Sequence, residues 1–332
     1  MSSIKKRVVI LATDYRWQSS ILVGSALRIL LSSHHASEIT VYISGTKAMR
    51  EEKFRALKLL CKYLLRQPNI KFFMLFNKAF TQPISRQINK FGVANTSMAA
   101  STINDDNFIK SLDLRDEASL IILGWPVKLN SKVLDKFHTS INYHDGELPT
   151  YRGTYGTQWS IYNNEVRSGF TFHEVNEHLD SGRQIATGFV PIGKNDTFID
   201  VELRKINCAK VAFASALKFH KTKEHSISVP RQVAAETLYT KQMAVTMYSI
   251  KELSILTSKE LRLRIKAFGG VKFERELGKI WITRKHKISI NPSSMFGLYR
   301  VFELADSTYV KVFRFNVLNT IKSIVEKKCV IK

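Results

Sequence analysis

Apolar and polar positions alternate along this chain in two distinct rhythms. Arg7-Val8-Val9-Ile10-Leu11-Ala12 is a short apolar run of the kind that forms a buried parallel strand. Gln18 to Leu31 then reads as a helix, and Ile39 to Ile43 as a second strand. From Met49 to Arg66 the apolar residues Phe54, Leu57, Leu60, Cys61 and Leu64 recur at helical spacing, with charges on the opposite face. Ile70 to Phe76 predicts a third strand, and Ile84 to Phe91 and Asp105 to Leu112 predict short helices. Ser119 to Leu123 is a fourth strand, closed by Gly124-Trp125-Pro126. Ser131 to Phe137 is a short helix and Ser140 to Tyr143 a fifth strand. Strands alternating with helices predict an α/β fold built on a doubly wound, mostly parallel sheet.

Thr197 to about Phe219 predicts one long helix, with Ile199, Val201, Leu203, Ile206, Val211, Phe213 and Leu217 as its core positions. Lys221 to Ser226 is a polar linker, which divides the chain into a first domain of residues 1–225 and a second of 226–332. In the second, Thr257-Ser258-Lys259-Glu260 is a capping box that opens a helix from Leu261 to Phe268, and Gly269-Gly270 stops it. The β-like runs Lys279 to Thr283, Lys287 to Ile290, Leu298 to Leu304 and Thr308 to Phe315 predict a small open β-barrel.

With 332 residues, 44% of them hydrophobic, the chain can bury two cores. Its three cysteines, Cys61, Cys208 and Cys329, have no metal or redox spacing, which fits a reducing compartment. No apolar run is long enough to span a membrane, so the expected location is cytoplasmic. The net charge is +23, unevenly spread: residues 226–332 hold 20 Lys and Arg against 8 Asp and Glu. That density favours an anionic partner, or reflects only a Lys-rich, solvated surface.

Doubly wound sheets bind ligands at the carboxyl ends of their strands. Gly124 ends one strand here, and Asn142 and His144 end the next. The first strand is followed by Thr13-Asp14-Tyr15-Arg16-Trp17, so no Gly-x-Gly-x-x-Gly dinucleotide turn is present, and a Walker-type phosphate loop is absent too. The stretch Gly169 to Gly182 adds Asp180 beside a Gly-bounded loop. An amide can donate to a developing oxyanion, an imidazole can shuttle a proton, and a carboxylate can orient and charge the imidazole. Together they are the groups that move an acyl unit onto an amine.

The set Asn142-x-His144, Leu148-Pro149-x-x-Arg152-Gly153, Gly169-x-Thr171, His173 and Asp180-x-Gly182 resembles the folate-dependent formyltransferase family. That family includes methionyl-tRNA formyltransferase, glycinamide ribonucleotide formyltransferase and the N-formyltransferases of amino-sugar nucleotides. The clear likeness covers about residues 118 to 192. It implies a Rossmann-type catalytic domain and a formyl donor, 10-formyltetrahydrofolate. It implies that Asn142 holds the formyl oxygen, His144 moves a proton and Asp180 keeps the histidine placed and organises a proton-relaying water. It implies a donor site between Gly124, Trp125, Val127 and Leu129 on one side and Asn176, Glu177, His178 and Leu179 on the other, read mostly by backbone groups. Arg152 and His173 are second-rank candidates for substrate binding; a structural ion pair is as good a reading of Arg152.

Two departures stand near the acceptor end. The tRNA enzymes usually carry Ser-Leu-Leu-Pro where this chain has Gly146-Glu147-Leu148-Pro149, and Gly-Thr-x-x-Phe where it has Ala12-Thr13-Asp14-Tyr15-Arg16. The expected acceptor is therefore the amine of a nucleotide sugar or similar small molecule, with methionyl-tRNA as the alternative. The basic cluster Arg262, Arg264, Lys266, Arg284, Lys285 and Lys287 speaks for tRNA. A non-catalytic RNA-binding protein on the same fold is the third reading.

Overall fold

A computed structural model describes residues 7–14, 17–45, 84–112, 114, 118–222, 237–275, 278–282, 287–289 and 299–313. The expected helix at 49–66, the strand at 70–76, the domain boundary at 225/226, and Tyr15, Arg16, Arg284 and Lys285 lie outside these residues. The described residues fall into two compact units, one ending at Lys241 and the other starting at Gln242.

The first unit is built on a seven-stranded sheet. Its strands are β1 (Val8–Thr13), β2 (Ile39–Ser44), β3 (Ala94–Met98), β4 (Ser119–Leu123), β5 (Thr139–His144), β7 (Arg167–Glu174) and β8 (Gln184–Pro191), in the spatial order β3-β2-β1-β4-β5-β7-β8. The two-residue β6 (Arg152–Gly153) lies outside it. β1 and β4 are apolar and buried on both faces, as helix-covered parallel strands must be. One face packs on α1 (Trp17–Leu30) and the long C-terminal helix of this unit; the other carries a second cluster around Leu11, Leu120, Ile122, Trp125 and Val133. Among the described residues, no helix is long and apolar enough to cross a membrane.

β1 to β5 are parallel, β7 runs the other way, and β8, antiparallel to β7, restores the first direction. The connection after β5 explains the reversal. It contains one short helix, Gly156–Tyr162. Seven residues of helix reach only about 10 Å, half the length of a six-residue strand. This short helix does not carry the chain back to the amino edge of the sheet, and β7 enters from the carboxyl edge. The edge strand β3, Ala-Asn-Thr-Ser-Met, is largely solvated and carries no apolar run from which it could be foreseen.

The long helix spans Phe198–Thr222, close to expectation, but its buried face differs. Val201, Ile206, Phe213 and Leu217 are buried as predicted, whereas Leu203 is exposed and Val211 is 76% exposed. Glu202 and Lys205 take the interior positions instead. The Lys205 ammonium is fully buried and satisfied: it pairs with Asp145 at 2.5 Å and donates to Thr157 Oγ1 at 2.8 Å. Pairing is the condition under which a lysine tolerates burial.

In the second unit, Thr257 Oγ1 accepts from Glu260 N at 3.2 Å and opens the helix Ser258–Phe268. Gly269, at φ +77°, ends that helix in the left-handed conformation. Two three-stranded sheets follow: Ser249–Ile250, Val271–Arg275 and Gly278–Ile282, then Lys287–Ser289, Tyr299–Glu303 and Tyr309–Phe313. Ile250, Leu261, Ile265, Phe273, Ile282, Phe302 and Val310 form one apolar cluster. Arg264, expected on a free basic surface, is committed: it pairs with Glu260 at 2.7 Å and donates to the Met247 carbonyl at 3.1 Å.

Candidate active site

Asn142 and His144 sit on alternate residues of β5, so both project to the same side of the sheet. Asp180 lies in the loop joining β7 to β8. The structure brings the three together. His144 Nδ1 is 3.5 Å from Asp180 Oδ2. Asn142 reaches Asp180 through His173: its Nδ2 is 3.0 Å from His173 Nε2, which is 3.6 Å from Asp180 Oδ1. His144 and Asp180 are both nearly closed to solvent, 5% and 9% exposed.

The loop that presents Asp180 is held at several points. Gly153 N donates to Asp180 Oδ2 at 2.9 Å. The Arg152 guanidinium donates to the Leu179 carbonyl at 2.6 and 3.1 Å, and Arg183 brackets Glu174 at the base of the loop. Asn176 Oδ1 accepts from His178 N and Ser181 Oγ. Asp180 itself has φ +49°, a conformation that few residues other than Gly, Asn and Asp adopt readily. A Cβ on Gly182 would strike the Glu174 carbonyl, which is why the Asp-x-Gly spacing needs glycine here. The turn on the other side is tied by β9 (Leu238–Tyr239), which pairs with Arg152 and Gly153, and Tyr239 stacks on Tyr151 with centroids 5.7 Å apart.

The hydrogen-bond geometry fixes the His144 tautomer. Its Nε2 lies 2.6 Å from the Tyr151 carbonyl oxygen, which can only accept. Nε2 therefore carries a hydrogen, and in the neutral ring Nδ1 is the bare nitrogen facing Asp180. Burial pushes the His144 pKa down, outweighing the opposing pull of Asp180 and the Tyr151 carbonyl. Burial pushes Asp180 up, but the His173 and His144 rings and the Gly153 N–H more than offset it, and the carboxyl titrates below its ordinary range. Near neutral pH the site holds a carboxylate and an uncharged imidazole with a free basic nitrogen.

The remaining candidates separate into two groups. Trp125, Leu129 and Val127 belong to the apolar cluster on this face of the sheet, and Val175, at the start of the Asp180 loop, packs on the same cluster. Gly124 turns the chain at φ +96°, and Asn104 pins the segment through the Lys128 carbonyl and Asn130 N. Glu177, His178 and Leu179 are exposed on the facing loop. The Arg152 guanidinium holds the Leu179 carbonyl, and His173 is 2% exposed and lies against the Asn142 amide. Both brace the site, Arg152 through the loop that carries Asp180 and His173 through Asn142. Asp145, Thr157 and Lys205 were not singled out from the sequence; a lysine inside an otherwise apolar helical stripe was the available signal.

An amide, an imidazole and a carboxylate, the groups that acyl transfer onto an amine uses, are gathered at the carboxyl edge of the sheet. Residues 68–217 match the family described as formyl transferase. Among curated proteins, methionyl-tRNA formyltransferase of Trichormus variabilis is 30% identical over 101 residues, 30% of this chain and 30% of that protein. GDP-perosamine N-formyltransferase of Brucella melitensis biotype 1 is 34% identical over 67 residues, 20% of this chain and 26% of the relative. The aligned stretch spans less than a third of either relative. In fold, the chain is similar to an N-formyltransferase from Helicobacter canadensis solved with folinic acid and dTDP-3-aminofucose: TM-score 0.57, 15% identity, 93% of this chain and 100% of that one. A 4-N formyltransferase from Francisella tularensis gives TM-score 0.54 and 17% identity over 83% and 96%.

Proposed function

We propose that this protein transfers a formyl group from 10-formyltetrahydrofolate to a primary amine, with an amino-sugar nucleotide as acceptor. The observation that carries the reading is the His144 geometry: a neutral imidazole whose one bare nitrogen faces a buried carboxylate, with the Asn142 amide on the same face. The donor would supply the one-carbon unit in activated form. It would lie between residues 124–129 and the Asp180 loop, two segments that share one apolar cluster. The Trp125 indole N–H is buried there without a hydrogen-bond partner among the described residues, a donor that a heterocycle with acceptor atoms would satisfy.

The chain's own groups account for the chemistry. Asn142 Nδ2 donates to the carbonyl oxygen on which negative charge builds. His144 Nδ1 accepts a proton from the attacking amine, which must be neutral to react, and returns it to the donor nitrogen as the bond between that nitrogen and the formyl carbon breaks. The imidazolium so formed gains the field of Asp180 at 3.5 Å, while Nε2 keeps its bond to Tyr151. Burial of the pair excludes water that would compete with the amine for the formyl group.

Methionyl-tRNA is the second reading, favoured by the 20 basic residues against 8 acidic ones in 226–332. The test is direct. Purified protein is incubated with 10-formyltetrahydrofolate and either a GDP- or dTDP-linked amino sugar or methionyl-tRNA, and tetrahydrofolate release and acceptor mass are followed. Formylated sugar with little dependence on salt supports the proposal. Formylated tRNA, with affinity falling steeply as salt rises, replaces it by the second reading. Salt-dependent RNA binding without any transfer leaves a non-catalytic RNA-binding protein.

A further inference from the structure

We infer that His173 is a positioning residue for this chemistry: it sets the orientation of the Asn142 amide. The inference rests on the formyl-transfer reading and adds a role for a residue that does not meet substrate. Asn142 and His173 are direct cross-strand partners in the antiparallel β5–β7 pair. On its other flank, in the parallel β4–β5 pair, Asn142 faces Ile122. The amide thus has one polar cross-strand neighbour and one apolar one, and His173 decides which way it turns.

The direction follows from the far side of the ring. His173 Nδ1 is 2.8 Å from the Glu174 carbonyl oxygen, which can only accept, so Nδ1 holds the hydrogen. In the neutral ring Nε2 is then an acceptor. An acceptor at 3.0 Å admits the amide nitrogen of Asn142 and excludes its oxygen. Nδ2 is held with one hydrogen on His173 and the second left for a ligand carbonyl. With the ring replaced by an apolar side chain, the amide could rotate by half a turn and present an acceptor where the reaction needs a donor. The competing arrangement is a ring donating from Nε2 to Asp180 Oδ1, the contact that would draw the Asp180 carboxyl down; at 3.6 Å it is longer than the amide contact at 3.0 Å, and Nε2 cannot make both. Burial of the ring at 2% exposure removes water as an alternative partner.

Two measurements test this. Nitrogen-15 NMR of histidine-labelled protein at neutral pH, assigned by loss of signal in His173→Leu, should show His173 with a protonated Nδ1 and a bare Nε2. A hydrogen on Nε2, alone or with Nδ1, would overturn the inference whatever the protein's reaction. In kinetics, His173→Leu should lower kcat about tenfold or more with donor KM changed less than about twofold, and His173→Gln, whose carbonyl can accept, should recover most of it. In an Asn142→Ala background His173→Leu should cost little further. Fully multiplicative losses, or undiminished kcat in His173→Leu, would show that the ring does not act through Asn142. If wild-type protein transfers formyl to no amine, the functional reading fails, and the nitrogen shifts alone decide the tautomer.

Discussion

Asp180→Asn removes one charge from the site and changes little else. The side chain keeps its size, and its carbonyl oxygen can still accept from Gly153 N, now 2.9 Å away. What disappears is the field at His144 Nδ1, 3.5 Å from the carboxylate. Unit charges about 4 Å apart attract by about 4 kcal/mol at an effective dielectric near 20. That field acts on His144 only once the ring has taken the amine's proton, so the loss falls on the transition state. With partial relaxation, about 3–4 kcal/mol corresponds to roughly 10²–10³ in kcat. Donor KM should change little, because the donor segments meet backbone and apolar groups. The pH profile gives a second, independent readout. His144 must be neutral to accept, so kcat/KM falls on the acid side as the ring protonates, below its ordinary value of 6.5 because burial depresses it. Asp180 is the largest influence opposing that depression, and without it the acid limb should move to still lower pH. Steady-state assays from pH 5 to 9 would measure both effects. A kcat loss below about tenfold, or an acid limb that stays put or moves up, would refute the assigned partnership.

Asn142→Ala should lower kcat by roughly 10²–10³ in a protein with an unchanged circular dichroism spectrum, and wild-type turnover would rule out an oxyanion role. Gly182→Ala should push the Glu174 carbonyl and displace the Asp180 loop, with a loss of roughly 10² in kcat; a fully active variant would show the loop's placement to be uncritical. Lys205→Met strands the Asp145 carboxylate, and urea denaturation should show a loss of about 3 kcal/mol, the lower end for a broken buried pair because Asp145 is 31% exposed. An unchanged midpoint would mean that water replaces the ammonium at no cost. Acid should destabilise the fold: His144 and Asp180 both titrate below their ordinary 6.5 and 3.8, so the unfolded chain binds protons first. Stability should fall as pH drops below about 6.5 and fall again below about 4, and a denaturant midpoint rising on acidification over that range would contradict both shifts.

Much of the fold was legible because its signals are local. Val8 to Ala12 and Ser119 to Leu123 are apolar without interruption, and Thr257 with Glu260 and Gly269 marks both ends of a helix. The three central polar groups were legible because they lie at fixed offsets in two short segments. What stayed hidden depends on partners far away in sequence. Val211 has the right residue type for the core and is solvated, because the stripe that faces the sheet runs through Lys205, Ile206 and Ala209. Lys205 is interior only because Asp145, 60 residues earlier, is there to meet it. The reversal of β7 follows a connection with one seven-residue helix after β5, which a reading that seeks strand–helix alternation passes over.

That reversal is also what assembles the site. Parallel neighbours bring strand ends together at one edge, which places Gly124 beside the carboxyl end of β5 and lines up one ligand-binding loop. They do not set residues directly opposite one another. Antiparallel neighbours do, and the β5–β7 register puts His173 across from Asn142 and Thr171 across from His144. Thr171 Oγ1 in turn donates to the Gly146 carbonyl and accepts from Leu148 N, which fixes the turn that carries Tyr151 to His144 Nε2. The hairpin formed by β7 and β8 then returns Asp180 to the same place, through a loop closed by Arg183 on Glu174. One change of strand direction therefore supplies the amide's support, the imidazole's tautomer and the carboxylate. A register slip of one residue in β7 would undo all three at once, since it would turn His173 and Thr171 to the opposite face of the sheet.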